Sequence, residues 1–87
     1  MKSPDIERMF ISLEPLKLRS MPKKQELRTA VLNRIIQLFE NERIYNETEV
    51  THLLMDVYED PVYLRRLLIE AKLLMRTNDG SRYWKKS

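Results

Sequence analysis

The chain has 87 residues and a formal net charge of +3, which fits one small domain. It has no cysteine, one glycine and one histidine, so disulfide frameworks, cysteine-ligated metals, glycine-rich phosphate loops and multi-histidine metal centres are excluded within one chain. No apolar run approaches the ~20 residues that a membrane span needs, and the N-terminus lacks the apolar stretch of a signal peptide. We therefore expect a cytoplasmic protein with no cofactor, no membrane contact and no evident small-molecule substrate.

Residues 1–21 predict a short helix followed by an extended linker. Ser3, Pro4 and Asp5 are typical of a helix start, with a cap, a first-turn proline and an acid. Four apolar side chains at helical spacing then precede Pro15: Ile6, Met9, Phe10 and Leu13. A helix this short needs a surface to pack on, so we expect these side chains to cover the core or to join two copies as a homodimer.

Residues 22–87 predict the main domain, which begins with a long helix over residues 23–39. The apolar arc of this helix is broad, so we expect more than one neighbouring element to cover it. Residues 43–45 are a short strand candidate.

Two further helices follow, each with a recognisable start. Asn46 with Glu49 three residues later is the capping-box pattern, with asparagine in the cap position. Asp60 is placed to cap the third helix, with Pro61 in its first turn, and the helix is expected to run to about Lys72.

The C-terminal residues predict a β-hairpin with strands over residues 73–77 and 82–86. Asp79 and Gly80 suit a two-residue turn between them, because this pair accepts positive φ. That turn places Met75 opposite Trp84, and we expect this sulfur–aromatic pair on the core side of the hairpin.

This order of helix, strand, helix, helix and hairpin is that of a winged helix. The two closely spaced helices form its helix-turn-helix, and the hairpin is its wing. The sequence therefore predicts an α+β, mostly α, winged-helix domain with an extra short N-terminal helix.

The segment from about Leu16 to Trp84 also resembles a small bacterial family of domains of unknown function. The matching positions are residues 38–39, 45, 49–50, 60, 64–66, 68–69, 73–74, 76 and 80–84. Lys72 stands where a small turn residue such as glycine is usual, and Leu67 where an acid is common. The resemblance implies a winged-helix domain linked to transcription, found alone or at the C-terminus of arsenic-repressor-like regulators, with no established catalytic residues.

The third helix would be the recognition helix of such a fold. Steps of about 100° per residue from Leu64 place Leu67, Leu68 and Ala71 on the core side. The outward side chains are then Val62, Tyr63, Arg66, Ile69 and Glu70. Arginine matches base-edge acceptors and phosphates, whereas a glutamate is repelled by phosphates, so this helix has few base-reading groups.

Charge is distributed unevenly, and the C-terminal third is basic. Residues 61–87 hold seven Lys or Arg against two acids, whereas residues 41–60 hold one base against six acids. A basic surface of this kind indicates polyanion binding. The predicted DNA-contact residues are Tyr63, Arg65, Arg66, Arg76, Arg82, Lys85 and Lys86.

Each of these contacts has a structural alternative. Arg65 is equally suited to pair with an acid of the second helix, such as Asp56 or Glu59. The cations of the hairpin, Arg76 and Arg82 among them, are equally suited to solubilising an exposed strand edge.

Two functions remain open from the sequence. The first is binding of duplex DNA in transcriptional regulation. The second is a protein-interaction module that keeps the winged-helix shape. Its contacts would be Val62 and Ile69 together with Ile6, Met9, Phe10 and Leu13. Catalysis and metal binding are not predicted, because His52 has no nucleophile nearby and the acids lack a calcium-loop pattern.

Overall fold

The computed structural model describes residues 6–86. Along the chain, one antiparallel hairpin is followed by three helices and then by a second antiparallel hairpin. The helices are α1 (Gln25–Ile36), α2 (Glu47–Met55) and α3 (Pro61–Glu70). The strands are β1 (Phe10–Leu13) and β2 (Leu16–Leu18) in the first hairpin, and β3 (Leu74–Arg76) and β4 (Tyr83–Lys85) in the second. The result is a small α+β fold. Within the described residues, no helix combines the length and apolar composition that crossing a membrane requires.

The N-terminal helix predicted from the spacing of Ile6 to Leu13 is wrong. A 3-10 turn at Glu7–Met9 leads directly into β1, and the predicted helix start at residues 3–5 lies outside the described part of the chain. The predicted linker also begins as a strand, β2, which pairs with β1 across a turn with a cis Glu14–Pro15 bond. The physical reason is burial: the hairpin places Phe10, Leu16 and Leu18 together in the core, which a helix ending before Pro15 does not achieve.

Helix α1 supplies the centre of the core, as its broad apolar arc predicts. Four of its side chains are almost fully buried: Val31, Leu32, Ile35 and Ile36. The helix is shorter than predicted at both ends, although Phe39, three residues beyond it, is still buried and packs edge-on against Tyr45 with 5.1 Å between ring centroids.

The strand candidate at residues 43–45 makes a single bridge to the second hairpin. The backbone groups of Tyr45 and Tyr83 exchange two hydrogen bonds, each 2.8 Å long. Tyr45 therefore lies beside β4, in the place of a third strand.

The starts of α2 and α3 confirm the capping patterns. The Asn46 Oδ1 accepts a hydrogen bond from the Glu49 N–H at 2.8 Å, and the Glu49 Oε1 accepts one from the Asn46 N–H at 2.8 Å. At α3, the Asp60 Oδ1 accepts a hydrogen bond from the Tyr63 N–H at 3.1 Å. These bonds satisfy backbone N–H groups that the first turn of a helix leaves without partners.

Helix α3 ends in a Schellman motif at Lys72. The Leu73 N–H donates to the Leu68 carbonyl at 3.0 Å, and the Lys72 N–H donates to the Ile69 carbonyl at 2.9 Å. This geometry requires a left-handed residue, and Lys72 has a φ of 62°. A lysine therefore occupies a conformation that glycine adopts without steric cost.

We expect Lys72→Gly to raise the free energy of unfolding by about 0.5–1 kcal/mol, because the Cβ penalty in the left-handed region disappears. Urea denaturation followed by circular dichroism measures this change. Lys72→Ala is the matched control, since it removes the same charge and keeps the Cβ. Equal stability of the two variants would contradict this account of the helix end.

The register of the second hairpin is confirmed, but the side that faces the core is not the predicted one. Met75 pairs with Trp84, as expected, and Arg76 pairs with Tyr83. The core side holds Leu74 and Tyr83, 0% and 2% exposed, whereas Met75 and Trp84 lie half-buried on the other side. Side chains alternate along a strand, so the way in which the chain leaves α3 decides which set points inward. A one-residue difference in this exit exchanges the two sides.

Candidate nucleic-acid interface

The basic side chains predicted to contact DNA lie on α3 and on the second hairpin, and Tyr83 connects these elements. The guanidinium carbon of Arg65, on α3, lies 5.8 Å from the centroid of the Tyr83 ring. Arg76 stands opposite Tyr83 in the hairpin. The Arg76 guanidinium and the Tyr83 hydroxyl both lie beside Gly80. A Cβ placed on this glycine would lie 3.5 Å from the Arg76 Nη1 and 3.6 Å from the Tyr83 hydroxyl oxygen. Arg65 and Arg76 therefore both lie beside the buried tyrosine, one on each element.

Arg65 is held by contacts within the protein. Its Nη1 lies 3.5 Å from the Glu47 Oε1 at the start of α2, and its side chain is only 21% exposed. The structural alternative for Arg65, a pairing with an acid of the second helix, is present, but the acid is Glu47 and neither Asp56 nor Glu59. Sequence reasoning missed Glu47 because only the packing of α2 against α3 brings it close to Arg65. We infer that Arg65 mainly stabilises the junction of α2, α3 and the hairpin.

A matched pair of variants separates this role from a binding role. We expect Arg65→Ala to lower the free energy of unfolding by about 1–2 kcal/mol, because it removes a partly buried stem and a ring contact. Arg66→Ala, at an exposed position, should stay within about 0.5 kcal/mol of the wild type. Thermal denaturation monitored by circular dichroism measures the stability of both variants. Equal losses of stability would contradict the assignment of Arg65 to a structural role.

Five other basic side chains of α3 and the hairpin form no ion pair with any residue between 6 and 86. We call them the basic surface: Arg66, Arg76, Arg82, Lys85 and Lys86. Four of the five are exposed, and Lys85 is half-buried. Charges without an internal partner remain available to an external anion.

The hairpin distributes these cations over both of its sides. Arg76 shares a side with Tyr83, and Arg82 shares the opposite side with Trp84, because side chains alternate along paired strands. A hairpin that carries cations on both sides can contact negative groups, such as the phosphates of a nucleic-acid backbone, on either side.

The hairpin loop is ordered by one carboxylate. The Asp79 Oδ1 accepts hydrogen bonds from the Thr77 Oγ1 at 2.7 Å, the Ser81 N–H at 3.0 Å and the Ser81 Oγ at 2.8 Å. The loop spans residues 78–81 rather than two residues, since the Thr77 N–H donates to the Arg82 carbonyl at 3.0 Å. These hydrogen bonds, with that of Thr77 the largest cause, lower the pKa of Asp79 from 3.8 to about 2.

The depressed pKa predicts how the loop responds to acid. Because the carboxylate form is favoured in the folded chain, its contribution to stability is complete above about pH 4 and is lost as the pH falls towards 2. A carboxyl carbon NMR titration should give a midpoint for Asp79 of about 2. In Thr77→Val the midpoint should move upward, because the main hydrogen-bond donor is absent. A wild-type midpoint near 3.8 would contradict the loop geometry.

The outward side of α3 is narrower than the sequence predicts. Val62, Arg66 and Glu70 are exposed, whereas Tyr63 and Ile69 are half-buried against the core. The helical spacing predicts Ala71 on the core side, but Ala71 is exposed. Of the two apolar side chains of α3 that were predicted to contact a protein partner, Val62 is exposed, at 49%, and Ile69 is not.

The N-terminal residues of the protein-interaction alternative are also separated from one another. Phe10 is buried in the core, and Ile6 and Met9 are half-buried against it. Leu13 remains 43% exposed. These four side chains therefore do not form one continuous stripe.

Comparison with known proteins gives one finding. No curated protein and no solved structure matches the chain. One family model, described as an uncharacterized protein conserved in bacteria (DUF2087), matches residues 17–85. This range includes all three helices, the second hairpin and four of the five residues of the basic surface, all but Lys86. Since the match spans most of the sequence, the chain belongs to this family of uncharacterised bacterial proteins.

Proposed function

We propose that the chain is a small winged-helix protein that binds duplex DNA and acts in transcriptional regulation. The order of α1, the bridge at Tyr45, α2, α3 and the β3–β4 hairpin supports this fold assignment. The bridge gives the hairpin a third strand position beside the helices. In this fold α3 is the recognition helix, and the hairpin is the wing.

The observation that carries the proposal is the basic surface, whose five cations have no internal partner among residues 6–86. With α3 in a major groove, Arg66 reaches base edges or a phosphate. The wing cations contact phosphates, Arg76 on one side of the hairpin and Arg82 on the other. Phosphate contacts position a protein but carry no sequence information, and Glu70 limits base reading by α3. We therefore expect moderate affinity with weak sequence preference.

Fluorescence anisotropy of a labelled mixed-sequence duplex tests the proposal, first at low salt and then near physiological salt. Affinity should fall linearly on a log–log scale as salt rises, with a slope of about −0.9 per phosphate neutralised. Five contacts would give a slope of about −4 to −5. Absence of binding at low salt would overturn the proposal.

The second candidate is a protein-interaction module on the same scaffold. The observation in its favour is a groove of about 360 Å³ on the outer side of the wing, which Ile44 and Trp84 line together with Arg82 and Lys85. Ile44 is 56% exposed there. This candidate predicts no duplex affinity at any salt concentration, so the same titration separates the two functions.

A further inference from the structure

The groove on the outer side of the wing has an apolar centre. The backbone bridge between Tyr45 and Tyr83 places the neighbouring Ile44 beside Trp84, and both of these apolar side chains line the groove. Ile44 is 56% exposed, and Trp84 is half-buried. Ligand sites have volumes of about 300–1,000 Å³, so a groove of about 360 Å³ is large enough for one small ring system.

The charged side chains of this groove favour an anionic ligand. Arg82 and Lys85 line it, and neither forms an ion pair with any residue between 6 and 86. Glu42 is the one acid among the described residues of the lining. The Thr77 hydroxyl, also in the lining, already donates to the Asp79 Oδ1 at 2.7 Å. The groove therefore offers an anion two cations against one acid.

The sequence of these side chains along the wing matches the chemistry of a nucleotide. Arg82 precedes Trp84 by two residues and Lys85 follows it directly, and all three line the groove. In a nucleotide, a flat uncharged base is joined through a sugar to negatively charged phosphates. Bases stack on aromatic side chains, and removal of such a side chain lowers affinity about 5- to 150-fold per base. An aromatic ring between two cations can thus hold the base and its phosphates together.

A closed duplex leaves this apolar centre unused. The bases of a duplex stack on one another, so only their edges face the grooves of the DNA. A base face becomes accessible in a single strand, or where a base has left the stack. The contact with Ile44 and Trp84 therefore requires an unpaired base.

We propose that the outer groove of the wing binds an unpaired base of a DNA strand. The base lies between Ile44 and Trp84, and its flanking phosphates contact Arg82 and Lys85. This inference rests on the proposed function, since it uses the same wing to hold the DNA backbone. It adds a site that detects an unpaired base without selecting its identity, because every base has an aromatic face.

Two strands of equal charge test the proposal with the full chain at low salt. One is an oligothymidylate, and the other is an abasic oligodeoxynucleotide with the same number of phosphates. Anisotropy of a label on each strand measures its affinity. We expect the oligothymidylate to bind at least tenfold more tightly, because only this strand offers bases. Trp84 is the single tryptophan of the chain, so quenching of its emission by the oligothymidylate reports directly on the groove.

Matched variants locate the contact. Trp84→Leu keeps apolar bulk but removes the ring, so oligothymidylate affinity should fall about tenfold while abasic-strand affinity stays within about twofold. Tyr58→Leu is the control, since Tyr58 is also a half-buried aromatic residue but lines a groove beside the first hairpin. Ile44→Ala, at an exposed position, puts little of the fold at risk and should lower oligothymidylate affinity at least threefold. Circular dichroism checks that each variant is folded.

Equal affinity for the two strands, or no binding of either, would overturn the inference. Unchanged tryptophan emission at saturation with the oligothymidylate would also overturn it, as would equal losses in Trp84→Leu and Tyr58→Leu. The duplex titration tests the proposed function separately. A chain that binds duplex but does not distinguish the two strands refutes only the base site. A chain that binds the oligothymidylate with quenching but binds no duplex refutes only the proposed function.

Discussion

Replacing Tyr83 by alanine is expected to lower the free energy of unfolding by about 3–5 kcal/mol, as for other large buried aromatic side chains. The Tyr83 side chain is 2% exposed, Arg65 of α3 lies over its ring, and its backbone is bridged to that of Tyr45. A domain of this size has a total stability of about 4–13 kcal/mol, so this one truncation removes a large share of it. Urea denaturation followed by far-ultraviolet circular dichroism measures the loss.

Tyr83→Phe is the control for this prediction. Among residues 6–86 no enclosed side-chain polar atom lacks a hydrogen-bond partner, and the Tyr83 hydroxyl bonds to no residue there, so its oxygen reaches solvent. Its removal should therefore change the stability by less than about 0.5 kcal/mol. A loss below about 1 kcal/mol in Tyr83→Ala would contradict the central place that the structure gives to this ring.

The second large effect is expected in DNA binding. Replacing Arg66, Arg82 and Lys86 together by alanine should reduce duplex affinity about 100-fold at low salt, at ~1 kcal/mol for each lost phosphate contact. The slope of log affinity against log salt should become shallower by about 2.7. All three side chains are exposed, so the fold should be unaffected. Fluorescence anisotropy with the mixed-sequence duplex measures both quantities.

A second triple variant controls for net charge. Arg8, Arg19 and Lys24 are also exposed, and their replacement by alanine removes the same charge outside the basic surface. We expect a much smaller loss of affinity, because long-range attraction falls while the phosphate contacts remain. Equal losses in the two triple variants would contradict the assignment of contacts to α3 and the wing.

Local signals in the sequence predicted the second half of the fold well. The starts of α2 and α3 depend on side chains within three residues of each other, Asn46 with Glu49 and Asp60 with the Tyr63 N–H. The hairpin register follows from the position of Gly80, which has a φ of 73°. Such features require no knowledge of the rest of the chain.

Features that depend on distant contacts were predicted less well. The spacing of Ile6, Met9 and Phe10 is helical, but the burial of Leu16 and Leu18 beside Phe10 favours a hairpin, and only the folded core shows this. The inward side of the second hairpin depends in the same way on the exit from α3. For the candidate site, the sequence identified the basic residues. The pairing of Arg65 with an acid at the start of α2 emerges only from the packing.

The most direct test of the account is a map of duplex-induced chemical-shift changes in the backbone amide NMR spectrum of the chain. We predict that the largest changes occur in α3 around Arg66 and in the wing from Arg76 to Lys86, while the amides of Ile11 and Leu13 change little. Unchanged spectra at low salt, or changes centred on the first hairpin, would contradict the claim that α3 and the wing bind DNA.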